Sequence, residues 1–84
     1  MNSEDLEQLL YAMDCERKGL WYEAHAAVQS VNSDEGFWVH AYLHRVEGDF
    51  ENAAYWYRWL EKECPDNSLE EEAALILEKL KSMS

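Results

Sequence analysis

The sequence is short of basic residues and of long apolar runs. Only seven Lys and Arg stand against eighteen Asp and Glu in 84 residues, which gives a net charge of −11. This charge repels the phosphates of nucleic acids and of anionic membranes, so we expect neither of them as a partner. No apolar run approaches the ~18 residues needed to cross a bilayer, and the segment from Met1 to Asp5 lacks the basic and apolar regions of a secretory signal. We therefore expect a cytoplasmic protein.

Motifs of enzymes and of redox sites are also missing. Cys15 and Cys64 are isolated and form no CxxC motif. In a reducing compartment we expect both to be small buried hydrophobic side chains. A disulfide between them has no support in the sequence. The chain contains neither a glycine-rich nucleotide loop nor the context of a Ser-His-Asp triad. We expect no enzymatic activity and no cofactor.

The three glycines and one proline leave few breaks between elements, and two of the glycines belong to an internal repeat. Each copy has the pattern of a helix with a small residue, a left-handed glycine stop and a second helix with an alanine where helices approach closely. The matched positions are Ala12 with Ala41, Gly19 with Gly48, Ala24 with Ala53, and Val28 with Tyr57. The repeat predicts one all-α domain, residues 1–84, in which two antiparallel helical hairpins occupy residues 3–31 and 34–64.

Apolar residues recur at helical spacing through both hairpins and beyond them. The second helix is predicted to continue to Val31, and the fourth to continue through Cys64 until Pro65 ends it. Ser68 begins a capping box for a C-terminal helix over residues 68–82. We expect this helix to seal the open end of the stacked hairpins.

The segment 37–67 resembles a tetratricopeptide repeat at that family's spacings, although Leu60 stands where the family prefers Ala. The resemblance implies a tetratricopeptide-like stack of two hairpins plus a capping helix, in which the first helix of each hairpin lines a groove for another protein. A second segment, which begins at Gly19 and contains Glu23-Ala24-His25, is similar to an uncharacterised microbial helical family and implies no activity. The residues that match the tetratricopeptide pattern are Phe37, Ala41, Gly48, Phe50, Ala53, Tyr57 and Pro65.

The third helix carries three good interface anchors on one face. Trp38, Tyr42 and Arg45 are spaced i, i+4 and i+7, and these residue types dominate the energetics of protein interfaces. They predict a non-catalytic adaptor that binds a basic or amphipathic segment of another protein. The alternative is that Trp38 and Tyr42 pack under a neighbouring helix while Arg45 pairs with Asp49.

The fourth helix adds Asn52, Trp56 and Arg58 to the candidate binding residues. If Arg58 converged with Arg45, the two cations would suit a carboxylate on a small ligand. The alternative is that the arginines pair with nearby acidic residues and fix the hairpin.

Histidines suggest a rival function. His40, His44 and Glu47 share one helix face at i, i+4 and i+7, and His25 on the second helix could approach them across the hairpins. Two imidazoles and a carboxylate can hold zinc or iron, so a metal- or small-ligand-binding domain is the alternative to the adaptor. The same histidines also fit ordinary hydrogen-bonded positions in the core or on the surface. A third alternative is a structural module that self-associates as a homodimer.

Overall fold

The computed structural model describes residues 2–84 and confirms an all-helical protein, with no strand in that range. None of the helices found there has both the length and the apolar character needed to cross a membrane. Five helices follow one another: α1 (Ser3–Arg17), α2 (Trp21–Val28), α3 (Asp34–Glu47), α4 (Phe50–Trp59) and α5 (Leu69–Ser82).

Local signals in the sequence explain most helix ends. Gly19 and Gly48 have φ angles of 80° and 86°, so the two repeated glycines are the left-handed stops that the repeat predicts. Asp49 begins α4 by accepting a hydrogen bond from the Asn52 backbone N–H. The capping box of α5 also forms, since the side chain of Ser68 accepts from the Glu71 N–H and the Glu71 carboxylate accepts from the Ser68 N–H.

Two helices end earlier than the sequence predicts. The prediction that α4 continues to Pro65 is wrong, because the helix ends at Trp59. Glu61 adopts a left-handed φ of 56°, and the Lys62 N–H bonds back to the Tyr57 carbonyl, so a turn satisfies the end of the helix before the proline is reached. Similarly, α2 ends at Val28 rather than Val31.

The two cysteines differ in burial. Cys15 of α1 is buried as predicted, but the predicted burial of Cys64 is wrong, because α4 ends before it and leaves it in the exposed segment that follows.

The alanines of the repeat lie where the helices touch. Consecutive helices α1 and α2 contact each other, as do α3 and α4. Ala12, Ala24, Ala41 and Ala53 are all fully buried. Their small side chains allow each pair of helices to approach closely, which is the role that the repeat predicts for them.

The fifth helix does more than cover an end. It contacts both α1 and α3, which also contact each other, so these three helices form the centre of the molecule. Leu9 of α1, Leu43 of α3 and Leu80 of α5 are fully buried or nearly so in one shared core. The face of α3 that turns toward α5 is therefore covered, while α2 and α4 lie against other sides of α3.

Gly36, in the first turn of α3, lies against the turn that follows α2. A methyl group there would lie 2.2 Å from the Val31 carbonyl oxygen. Alanine normally stabilises a helix relative to glycine by about 1 kcal/mol. Here we expect Gly36→Ala to lower the free energy of unfolding by about 1–3 kcal/mol in urea titrations, because backbone must move to relieve the overlap. A variant as stable as the parent would contradict this close contact.

Candidate metal centre

Three histidines from two helices meet in the described structure. His25 of α2 lies beside His40 and His44 of α3, and one ligand nitrogen from each ring lies within 4.8 Å of the others. The two closest atoms, His25 Nε2 and His40 Nε2, are 3.1 Å apart. In a tetrahedral zinc site with Zn–N bonds of about 2.0–2.1 Å, neighbouring nitrogens are roughly 3.4 Å apart. The closest pair is thus slightly nearer than zinc ligands and the widest spacing is at most 4.8 Å, so small ring rotations would place all three nitrogens at the spacing of metal ligands.

Helix geometry and one anchoring contact explain this meeting. His40 and His44 are four residues apart, so they lie on one face of α3. Trp21, in the first turn of α2, donates a hydrogen bond of 2.7 Å from its indole Nε1 to the Leu43 carbonyl oxygen of α3. One turn further along α2, His25 reaches the same region. The packing of α2 across α3 therefore brings His25 to the two histidines of α3.

Neighbouring side chains hold each ring in place. His44 Nδ1 lies 2.7 Å from the Glu47 carboxylate, which leaves Nε2 of the same ring as its ligand atom. Trp56 of α4 stacks on His40 with ring centroids 4.0 Å apart, and Trp21 stacks on His25 at 4.9 Å. A carboxylate that orients a metal-binding histidine is a recurring feature of metal sites. The surroundings of the cluster therefore resemble the support that such ligands need.

The protonation state also suits metal binding. Burial, with the nearby His25 and His44 rings, lowers the pKa of His40 to about 4. Burial and the neighbouring His44 also lower the pKa of His25. Both rings are therefore neutral near pH 7, and the neutral imidazole is the form that binds a metal ion.

The second possible ligand group is weaker. His44, Glu47 and Asp49 also have ligand atoms within 4.8 Å of one another, but both carboxylates are exposed. Glu47 already holds the His44 ring, and Asp49 accepts the hydrogen bond that caps α4. These contacts explain the positions of both acidic residues without a metal.

The predicted interface residues on α3 are partly covered by α5 and α1. Trp38 and Arg45 are half-buried and Tyr42 is buried, although Trp38 and Tyr42 each border a surface cleft. Trp38 Nε1 donates to the Glu72 carboxylate at 3.0 Å, and Arg45 donates to the same carboxylate at 2.7 Å. Tyr42 is only 3% exposed and donates from its hydroxyl to Glu16 of α1. The pairing of Arg45 with Asp49, the predicted alternative, is replaced by its pairing with Glu72.

The three predicted residues of α4 have separate roles. Trp56 belongs to the wall of the histidine cluster, since its ring stacks on His40. The backbone of Asn52 donates to the cap of its own helix. Arg58 is exposed beside Tyr55, Trp59 and Glu61, whereas Arg45 reaches toward α5. The structure therefore gives no sign of the two-arginine pocket.

Glu72 is the important residue that the sequence analysis does not single out. It is 2% exposed and accepts hydrogen bonds from Trp38 and Arg45 of α3 and from Tyr57 of α4. Its place in the run Glu70-Glu71-Glu72 hides it among solvated acidic residues. The available signal is its spacing of four residues from Ile76, which places it on the apolar face of α5.

No protein-family model, curated protein or solved structure matches this chain. The residues of the site and their geometry therefore carry the functional proposal.

Proposed function

We propose that this protein binds one transition-metal ion, with Zn²⁺ as the first candidate, through His25, His40 and His44. The supporting observation is the convergence of three histidine nitrogens within 4.8 Å of one another, from two helices that are separate in sequence. This was the alternative function that the sequence analysis left open. The adaptor function of Trp38, Tyr42 and Arg45 stays a prediction, although the polar groups of all three are engaged by Glu72 of α5 or Glu16 of α1.

The type of ligand selects the type of metal. Three imidazole nitrogens suit zinc, copper, iron or nickel, whereas magnesium and calcium prefer oxygen ligands. Zinc sites often combine three protein ligands with a carboxylate that hydrogen-bonds to the far nitrogen of one histidine. Glu47 supplies such a carboxylate at His44.

The histidines can also hydrogen-bond to each other when no metal is bound. The 3.1 Å separation of His25 Nε2 and His40 Nε2 fits an N–H···N hydrogen bond between two neutral imidazoles. A metal ion would replace this bond once the donating ring has moved its proton from Nε2 to Nδ1 by exchange with solvent, which leaves a lone pair on both Nε2 atoms. The site can therefore be filled with little movement of either helix.

The test uses protein without a histidine tag, treated with chelator and then dialysed against Zn²⁺. We expect about one zinc per chain by elemental analysis, and loss of that zinc in His44→Ala, because two imidazoles alone hold zinc weakly. Glu47→Gln should weaken zinc binding by roughly 10- to 100-fold in a competition titration, since the carboxylate orients His44.

Glu51→Gln is the matched control for Glu47→Gln. Glu51 is an exposed acidic residue in the first turn of α4, and removing its charge should leave zinc affinity within about twofold of the parent because it contacts no histidine of the cluster. A parent chain that retains no zinc after dialysis would refute the proposal. So would full zinc content in His44→Ala.

We also infer that the two hairpins are tetratricopeptide-like, with α5 packed into the place where a groove would otherwise lie. The two left-handed glycines and the four buried alanines of the repeat support this inference. We also propose a cytoplasmic location. Both cysteines are free, which suits a reducing compartment.

A further inference from the structure

We propose that the ion held by the three histidines keeps one coordination position open and that this position takes a compact monovalent anion. The inference rests on the proposed function, because it concerns the same metal ion. It adds the class of ligand that the site accepts from solution.

The protein supplies three ligands and no fourth. Within residues 2–84, no cysteine, aspartate or glutamate joins the group formed by His25, His40 and His44. The nearest carboxylate that the cluster uses, Glu47, is engaged with Nδ1 of His44 on the side of the ring away from its ligand atom. A four-coordinate zinc ion bound here is therefore left with one position for water or another small donor.

The cluster is most accessible to solvent from the side of α2, which does not pack against α4. Both helices contact α3, yet no Cα of α2 lies within 8 Å of a Cα of α4 in the described range. His40 and His44 are buried on α3, while His25 is half-buried on the solvent side of the cluster. A small molecule would therefore reach the ion past His25, the most exposed ring of the three.

Charge favours an anion with a single negative charge. Imidazole binds a metal ion as a neutral ligand, so three of them leave the two positive charges of the ion in place, and the Glu47 carboxylate at His44 offsets one of these charges. One monovalent anion would balance the remainder. A divalent anion would bring an excess negative charge into a chain whose net charge is already −11.

The flanking side chains favour an anion that loses its water readily. Trp21 and Trp56 stack against His25 and His40, so aromatic carbon borders the cluster on both sides. Aromatic carbon cannot replace the hydrogen bonds of a strongly hydrated anion. Azide and thiocyanate meet this requirement, and sulfate does not.

Cobalt provides the readout, since Co²⁺ occupies zinc sites and its visible absorption reports its ligands. We expect azide added to the Co²⁺-loaded protein to shift the cobalt bands in a saturable manner, while cobalt remains bound to the protein after filtration. Sulfate at the same ionic strength should leave the bands unchanged.

Each other result overturns the inference in a recognisable way. Cobalt bands that ignore azide, with cobalt still bound, would show a closed site and leave the proposed function intact. Equal shifts with azide and sulfate would remove the anion selectivity. Release of cobalt by azide would show that the anion competes with the histidines. A chain that binds neither cobalt nor zinc would refute the proposed function as well.

Discussion

Replacement of Glu72 by alanine is expected to lower the free energy of unfolding by about 3–5 kcal/mol, the usual cost of removing one partner from a buried ion pair. Glu72 is 2% exposed and lies 2.7 Å from the guanidinium of Arg45, whose side chain is 10% exposed. Without the carboxylate, Arg45 keeps only its hydrogen bonds to Asn67. Small domains are commonly stable by about 5–15 kcal/mol, so this loss would be a large share of the total free energy of unfolding.

Two further donors, the hydroxyl of Tyr57 and the indole N–H of Trp38, would lose their acceptor in the same variant. Tyr57 donates to Glu72 at 2.5 Å and Trp38 at 3.0 Å. Burial and the hydrogen bond to Glu72 raise the pKa of Tyr57 well above its usual range, so this phenol remains a protonated donor. A single carboxylate on α5 thus accepts hydrogen bonds from side chains of both α3 and α4.

Two further variants separate charge from hydrogen bonding in urea titrations with chelator present. Glu72→Gln keeps an acceptor for Trp38 and Tyr57 but removes the charge that faces Arg45, so we expect an intermediate loss. Glu70→Ala, an exposed neighbour in the first turn of α5, should cost less than about 1 kcal/mol. If Glu72→Ala unfolds at the same urea concentration as Glu70→Ala, the buried hydrogen-bond network adds no more to the free energy of unfolding than an exposed glutamate does.

Acid should weaken the metal-free protein through its histidines before most carboxylates titrate. An unfolded histidine takes up a proton near pH 6.5, whereas burial and the neighbouring His25 and His44 lower the folded pKa of His40 to about 4. Between these values the unfolded state binds more protons, so stability falls as the pH falls. Because the unfolded ring is only half protonated at pH 6.5, His40 alone should cost about 1–2 kcal/mol between pH 6.5 and pH 5.

The measurement is a series of urea titrations at pH 7, 6 and 5 with chelator present. His25 adds to the effect, because burial and His44 lower its pKa too. His40→Gln removes the main titrating ring, and its stability should therefore vary less with pH even though the variant starts from a lower value. A parent protein whose stability is constant from pH 7 to pH 5 would contradict the lowered pKa values.

The sequence predicts the parts of the fold that short-range chemistry controls. Gly19 and Gly48 end helices because a left-handed residue is needed there, and glycine adopts that conformation at low cost. Ser68 and Glu71 cap α5 through contacts three residues apart. The end of α4 escapes prediction because Glu61, which has a side chain, takes the left-handed conformation usually given to glycine.

The candidate site also has a part that the sequence predicts and a part that it does not. Helical spacing alone brings His40 and His44 together, whereas the arrival of His25 depends on the angle at which α2 crosses α3. The covering of Trp38 and Tyr42 depends on where α5 packs. Periodicity within α3 carries no information about either, so the sequence could not show that Glu72 and Glu16 would engage this face.

The pairing of Arg45 with Glu72 has a consequence for synthesis on the ribosome. The two residues are 27 positions apart, and Arg45 emerges first. A nascent chain that already contains α1 to α4 still lacks the counter-charge for this guanidinium, so the inner side of α3 gains little from being dehydrated at that stage. The native surroundings of Arg45 can therefore form only after α5 has been made and can pack against α3.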